Sequence, residues 1–184
     1  MDYKDYQYSR DAAWRILIDC HATALPVRAL SICQTLGIPV RRTSLTDAPE
    51  GRSVALNGRP VILLAEEPSP ERRRFTLAHE LGHIILGHVG RVGVLNREPS
   101  LEDDPLEQAA NVFASRLLAP ACVLWGCNMQ SAAEIAQLCG ISQTAAEFRW
   151  ERLQLLYQRG KFLTSPLERQ VYAQFRPYID AHRR

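Results

Sequence analysis

Two histidines four residues apart, with a glutamate directly after the first, are the residues of this sequence best suited to chemistry: His79-Glu80-Leu81-Gly82-His83. On a helix, residues i and i+4 share a face. His79 and His83 then turn their imidazoles to one side and can hold one Zn²⁺, which takes nitrogen, sulfur and carboxylate ligands in a tetrahedral set. Glu80 follows the first ligand and can lean over the metal to take a proton from a water there, as a catalytic base. The competing explanation is a chance grouping on a core helix. Burying two histidines and a glutamate without partners is costly, however, and a metal removes that cost. The surrounding stretch, Phe75 to His88, has no proline and is apolar nearly all round, the pattern of a buried helix.

A catalytic zinc needs a third protein ligand and an open fourth position. Glu107 is the best candidate, 107 − 83 = 24 residues downstream on a second helix expected from Asp104-Pro105 to Pro120. Asp104-x-x-Glu107 also fits a capping box, in which the glutamate only ties off the helix start. Glu102 and Asp103, just before that helix, are alternative donors. Asn111 lies one turn after Glu107 on the same face and is expected to orient the carboxylate from behind. His88, five residues past His83, reads as a capping or exposed histidine near a helix end.

The elements that must position these groups can be read in outline. Helices are expected over residues 9–22, with Ser9 as N-cap, and from Pro26 to Gly37. Ile38–Thr43 reads as a strand. Asn57-Gly58 predicts a tight hairpin turn joining Ser53–Leu56 to Val61–Leu64, and Pro60 suggests an edge strand. A small antiparallel sheet is therefore expected ahead of the histidine helix, which opens at Ser69-Pro70. Arg72, Arg73 and Arg74, at that helix's unfavourable positive end, are expected to pair with nearby carboxylates or with substrate. Residues 89–103 read as a loop over the site. Ser131–Glu134 is a capping box, and Gly140-Ile141-Ser142 breaks and restarts a helix in the manner of a helix-turn-helix. The second of these helices carries Phe148, Trp150, Leu153, Leu156 and Tyr157, too much apolar bulk to stand free. A short helix follows near Pro166 to Ala173.

Composition sets wider bounds. The 184 residues are 46% hydrophobic and 23% charged, ordinary for a soluble globular protein. No apolar run reaches the ~18 residues of a membrane span, and the polar, acidic start is unlike a signal peptide. A cytoplasmic protein with no membrane partner is expected. The five cysteines are scattered; Cys122 and Cys127 are close enough to form a loop, but free thiols in a reducing compartment are the simpler reading. Residues 1–128 hold 14 basic and 15 acidic residues, and residues 129–184 hold 8 and 5, so the net charge of +2 divides as −1 and +3. The run Ser142–Glu147, where a recognition helix would meet bases, has no arginine or lysine. Nucleic-acid binding is expected to be absent, or weak and non-specific.

Arg74-Phe-Thr-Leu-Ala-His-Glu-Leu-Gly-His83, followed by Glu107-Gln-Ala-Ala-Asn111-Val-Phe-Ala-Ser-Arg-Leu-Leu-Ala-Pro120, resembles the ImmA/IrrE family of zinc metallopeptidases. Ala119 departs from the methionine usual there. The resemblance implies His79, His83 and Glu107 as zinc ligands and Glu80 as catalytic base. It also implies a cytoplasmic endopeptidase that cleaves a helix-turn-helix repressor and so switches on a mobile element or a stress response. The fold class expected is α+β, zincin-like, with a peptidase domain over residues 1–120 and a helical, helix-turn-helix-like subdomain over 121–184. Tyr157, Tyr172, His88 and Arg116 are candidates to stabilise the oxyanion of the reaction. Two other readings compete: a DNA-binding regulator with a structural zinc, and an inactive zinc fold that sequesters a repressor.

Overall fold

The computed structural model describes residues 2–43, 50–66, 68–89 and 104–183. Helix α1 (Tyr3–Asp19) opens at Asp2, whose carboxylate accepts from the Asp5 N–H at 2.8 Å. It therefore starts earlier than a cap at Ser9 would allow. Ser9 is instead a buried residue of the helix interior, and its hydroxyl donates to the Asp5 carbonyl four residues back, the alternative that interior serines commonly take. Helix α2 (Ala29–Thr35) ends before Gly37, whose φ of +66° turns the chain toward the sheet.

Strands β1 (Val40–Thr43), β2 (Gly51–Leu56) and β3 (Arg59–Ala65) form one sheet in the order β1-β3-β2. β2 and β3 are the expected antiparallel hairpin, with Ser53 opposite Ile62. Its turn residues Asn57 and Gly58 have φ of 52° and 74°, the left-handed pair that matches strand twist in a tight hairpin. β1 runs parallel to β3, with Val40 opposite Ile62, so the sheet is mixed rather than antiparallel. Side-chain alternation reports which face a strand buries and not its direction. Pro60 consequently sits on the central strand, not an edge. The first bond on that side runs from the Ile62 N–H to the Pro39 carbonyl at 2.9 Å, so Pro60, two residues earlier, lies beyond the start of β1 and its missing N–H costs no ladder bond.

Helix α3 (Pro70–Ile85) begins at Ser69, whose hydroxyl accepts from the Arg72 N–H at 3.3 Å. The sheet packs on it, and Gly51 at the start of β2 marks the closest approach. A Cβ there would lie 2.3 Å from Thr76 Cγ2 and 3.1 Å from Glu80 Cγ. Helix α4 (Pro105–Leu118) packs between α3 and α1. Leu17, Leu81, Phe113 and Leu117 are fully buried among these helices, each contributing about 1.5–3 kcal/mol by leaving water. Arg72 pairs with Glu50 at 2.6 Å. Arg73 and Arg74 donate instead to the backbone carbonyls of Glu66 and Gly140, so among the described residues Arg72 is the one of the three with a carboxylate partner.

Five further helices complete the chain: α5 (Ala121–Gly126), α6 (Ala132–Cys139), α7 (Gln143–Arg159), α8 (Pro166–Gln174) and α9 (Arg176–His182). α5 and α9 were not legible in the sequence pattern. Gly140 (φ +59°) ends α6, and the Ser142 hydroxyl accepts from the Ala145 N–H at 3.3 Å to start α7, the expected helix-turn-helix-like junction. Leu153 is buried, Trp150, Leu156 and Tyr157 pack half-buried, and Phe148 projects into solvent, 69% exposed.

One apolar cluster runs from Ala13 to Ile179, across the boundary expected at residue 120. Polar links cross it too. The buried Arg149 of α7 donates from Nε to the Ala119 carbonyl at 2.6 Å, closing the C-terminal end of α4. Burial pushes its guanidinium pKa down to about 9. Gln174 of α8 donates to the carbonyls of Leu17 and Ala22 at 2.7 and 2.6 Å. All five cysteines are free thiols. Pro105–Gly126 is apolar enough by composition to cross a membrane, but its most apolar window is 72% buried inside the fold, so this apolarity serves the core.

Candidate metal centre

Helix geometry places His79 and His83 on one face of α3, and α4 brings Glu107 across to meet them. His79 Nε2 lies 3.0 Å from Glu107 Oε2, His83 Nε2 lies 3.3 Å from Glu107 Oε1, and the two Nε2 atoms are 3.0 Å apart. Tetrahedral donors about 2.0 Å from one ion stand roughly 3.3 Å from each other, so the triangle is close to the size of a shared metal shell. Together the three residues form a candidate metal site. His83 is fully buried, whereas the side chains of His79 and Glu107 keep 14% and 17% exposure, so solvent reaches the centre from their side.

The far sides of both rings are engaged as well. His79 Nδ1 is 2.9 Å from Asn111 Oδ1, and His83 Nδ1 is 3.0 Å from His88 Nδ1. With the Nδ1 protons donated outward, both Nε2 lone pairs face each other and the Glu107 carboxylate. Three acceptors within 3.3 Å repel unless a cation lies between them. The residues therefore fit a divalent metal, and partners behind the ligating rings are the usual means of fixing their tautomer and orientation.

Asn111 thus holds the His79 ring rather than the Glu107 carboxylate expected, because its position on α4 looks across to α3. His88 is neither exposed nor a simple cap. α3 ends with Gly87 at φ +72°, and the His88 and Gly87 N–H groups return to the carbonyls of His83 and Ile84 at 2.8 and 3.1 Å. This left-handed helix ending swings His88 back, 8% exposed, against His83. A helical projection continued past Gly87 places His88 on the wrong face; the glycine was the signal that the projection stops there. Asp104 caps α4 by accepting from the Leu106 N–H at 2.8 Å, while the Glu107 carboxylate is turned to the histidines.

Glu80 is 3% exposed, between the metal helix and the start of β2. Among the oxyanion candidates, Arg116 donates to Tyr6 and Ser115, Tyr157 donates to the Met129 carbonyl at 3.4 Å, and Tyr172 packs on Trp125. Those contacts lie away from the three donors, and His88 stands behind His83 rather than in front of it. Glu102, Asp103 and the loop expected over the site, apart from Val89, lie outside the described residues.

Two histidines on one buried helix and a glutamate from the next thus converge on one point, with Glu80 directly after the first histidine. The chain belongs to the M78 peptidases: residues 33–151 match the family model described as the IrrE N-terminal-like domain. It is similar to the radiation response metalloprotease IrrE of Deinococcus deserti, 38% identical over 97 residues that cover 47% of this chain and 34% of that protein. The protein of the same name from Deinococcus radiodurans is 36% identical over 97 residues, 47% of this chain and 29% of its own length. The chain spans about a third of the length of these curated relatives.

Proposed function

We propose that this protein is a zinc-dependent endopeptidase in which His79, His83 and Glu107 hold the metal and Glu80 is the catalytic base. The observation that carries the reading is the 3.0–3.3 Å triangle of two Nε2 atoms and a carboxylate, with both Nδ1 atoms already engaged behind it. Zinc, when bound, polarises the scissile carbonyl and lowers the pKa of the attacking water. Glu80 takes the proton from that water and passes it to the leaving amine. Its burial, with Cγ close to Gly51, and its place directly after His79 on α3 support that role. Asn111 and His88 keep the two imidazoles from rotating out of the ligating pose.

The family resemblance favours a helix-turn-helix repressor as substrate, cleaved to release a mobile element or a stress response. Five unpaired cysteines suit a reducing cytoplasm. The α7 start, without lysine or arginine over Ser142–Glu147, suits protein contact better than base reading. The test is to mix purified, zinc-loaded protein with the repressor-like product of a neighbouring gene and follow cleavage by mass spectrometry. Glu80→Gln is expected to keep zinc and fold and to lose about 10²–10⁴ in rate. Cleavage by the variant at the wild-type rate would overturn the role of Glu80. No cleavage by the wild type, with zinc bound, would favour sequestration without proteolysis.

A further inference from the structure

A second concavity lies on the opposite side of the metal helix. It is a cavity of about 430 Å³ between α2, β1, β3 and the first half of α3, within the size range of small-molecule sites. On α3 its lining residues Pro70, Arg73, Arg74 and Leu77 follow the i, i+3, i+4, i+7 spacing of one face. At about 100° per residue that face points roughly 180° from His79, so this cavity is separate from the metal centre.

Its chemistry is two-part. Among the described residues four arginines line it, Arg28, Arg42, Arg73 and Arg74, against one acidic residue, Glu66. Arg73 and Arg74 each give a donor to a backbone carbonyl; among the described residues they form no salt bridge, and the carboxylate their charge acts on is that of Glu71. The side chains of Arg28 and Arg42 make no hydrogen bond or ion pair among the described residues, their backbones being engaged in the first turn of α2 and in the β1–β3 ladder. The floor is apolar: Ala29, Val40, Leu64 and Leu77, of which Ala29, Leu64 and Leu77 are 3%, 8% and 6% exposed. Register explains why a charge reaches this floor. Arg42 is opposite Leu64 in the β1–β3 ladder and so projects from the same sheet face as Leu64, toward α3. The positive end of the α3 dipole, at Pro70, adds to the field.

We propose that this cavity binds a small anionic amphiphile, its phosphate or carboxylate head held by Arg28, Arg42, Arg73 and Arg74 and its apolar body laid on Ala29, Leu64 and Leu77. The opposing explanation is that an inward arginine on β1 only protects an edge strand from pairing with another chain. That role requires neither a cavity nor arginines from α2 and α3.

Isothermal titration of the full chain separates the two, with octyl phosphate and octanoate as probes and inorganic phosphate and 1-octanol as half-probes. At least one of the two amphiphiles is expected to bind once per chain, at least about tenfold tighter than either half-probe, a gap of about 1.4 kcal/mol. Whichever head binds identifies the head group. The double variant Arg28→Glu/Arg42→Glu is expected to weaken binding by at least about tenfold. Ser31→Trp, an exposed lining residue that keeps every arginine, is expected to block the cavity and give the same loss. Arg159→Glu, on the exposed end of α7, is expected to bind as the wild type does. The proposal is overturned if neither amphiphile binds saturably, if inorganic phosphate binds as tightly as the amphiphiles, or if the arginine and Ser31 variants both retain wild-type affinity.

Discussion

Gly82 rests directly on Phe113. A Cβ on the glycine would stand 3.0 Å from the ring's Cδ1 and 3.3 Å from its Cβ, and the ring is fully buried. The contact lets α3 and α4 close at the level where His83 and Glu107 meet. In Gly82→Ala the buried ring must shift by a few tenths of an ångström, or the helices must part. A loss of about 1–3 kcal/mol is expected, typical of overpacking, together with weaker metal retention. Thermal melting and metal analysis of the purified variant measure both. An unchanged melting temperature and full metal content would show that the ring yields without moving α4.

Asp104 and Glu107 separate the two roles that the sequence leaves entangled. Asp104→Ala removes the cap on α4 and is expected to cost about 0.5–2 kcal/mol while zinc stays bound. Glu107→Ala is expected to lower zinc occupancy in elemental analysis. Equal zinc content in the two variants would make Glu107 no more than part of a helix start.

His88 is a positioning residue for His83. His88→Phe is expected to weaken zinc binding by about 10–100-fold, the usual cost of losing the partner behind a ligating imidazole, as read by competition with a chromophoric chelator. His88→Asn sets an amide oxygen near the place of Nδ1 and is expected to restore most of the affinity. Equal weakening in both variants would point to packing, and no weakening in either would remove the role.

The thiols report on the fold without reference to the metal. Burial pushes Cys33 and Cys139 up to about 12 and Cys127 up to about 11, and raises Cys122 further. The thiolate is the reactive form. Brief alkylation at pH 8 is therefore expected to label Cys20, which is only partly buried, and to spare the other four until denaturant is added. Rapid native labelling of Cys122 or Cys139, read by peptide mass spectrometry, would contradict the packing of α5 and α6.

The meeting of His79, His83 and Glu107 was largely legible because the histidine spacing follows from helix geometry alone: His79 and His83 are one turn apart wherever α3 lies. Glu107 was harder, since the same residue could serve a cap. What stayed hidden depended on single backbone angles or on partners distant in sequence. The φ of Gly87 decides where His88 goes. The direction of β1 is decided by docking on β3, which no alternation of side chains encodes. The start of α1 turned on one aspartate, Asp2, in a polar run that offered several caps. The arginine-lined cavity joins residues 28 to 77 from four elements, and arginines so separated carry no shared pattern.

The reach of Arg149 to the Ala119 carbonyl also fixes an order of events during synthesis. His79, His83 and Glu107 are all made before Arg149, which follows Glu107 by 149 − 107 = 42 residues. At about 5–20 residues per second, translation needs roughly 2–8 s to cover that interval. Throughout it the nascent chain holds His79, His83 and Glu107 but not the side chain that closes the end of α4. A chain cut short of Arg149 would therefore keep all three of these residues and leave the Ala119 carbonyl without the guanidinium that meets it.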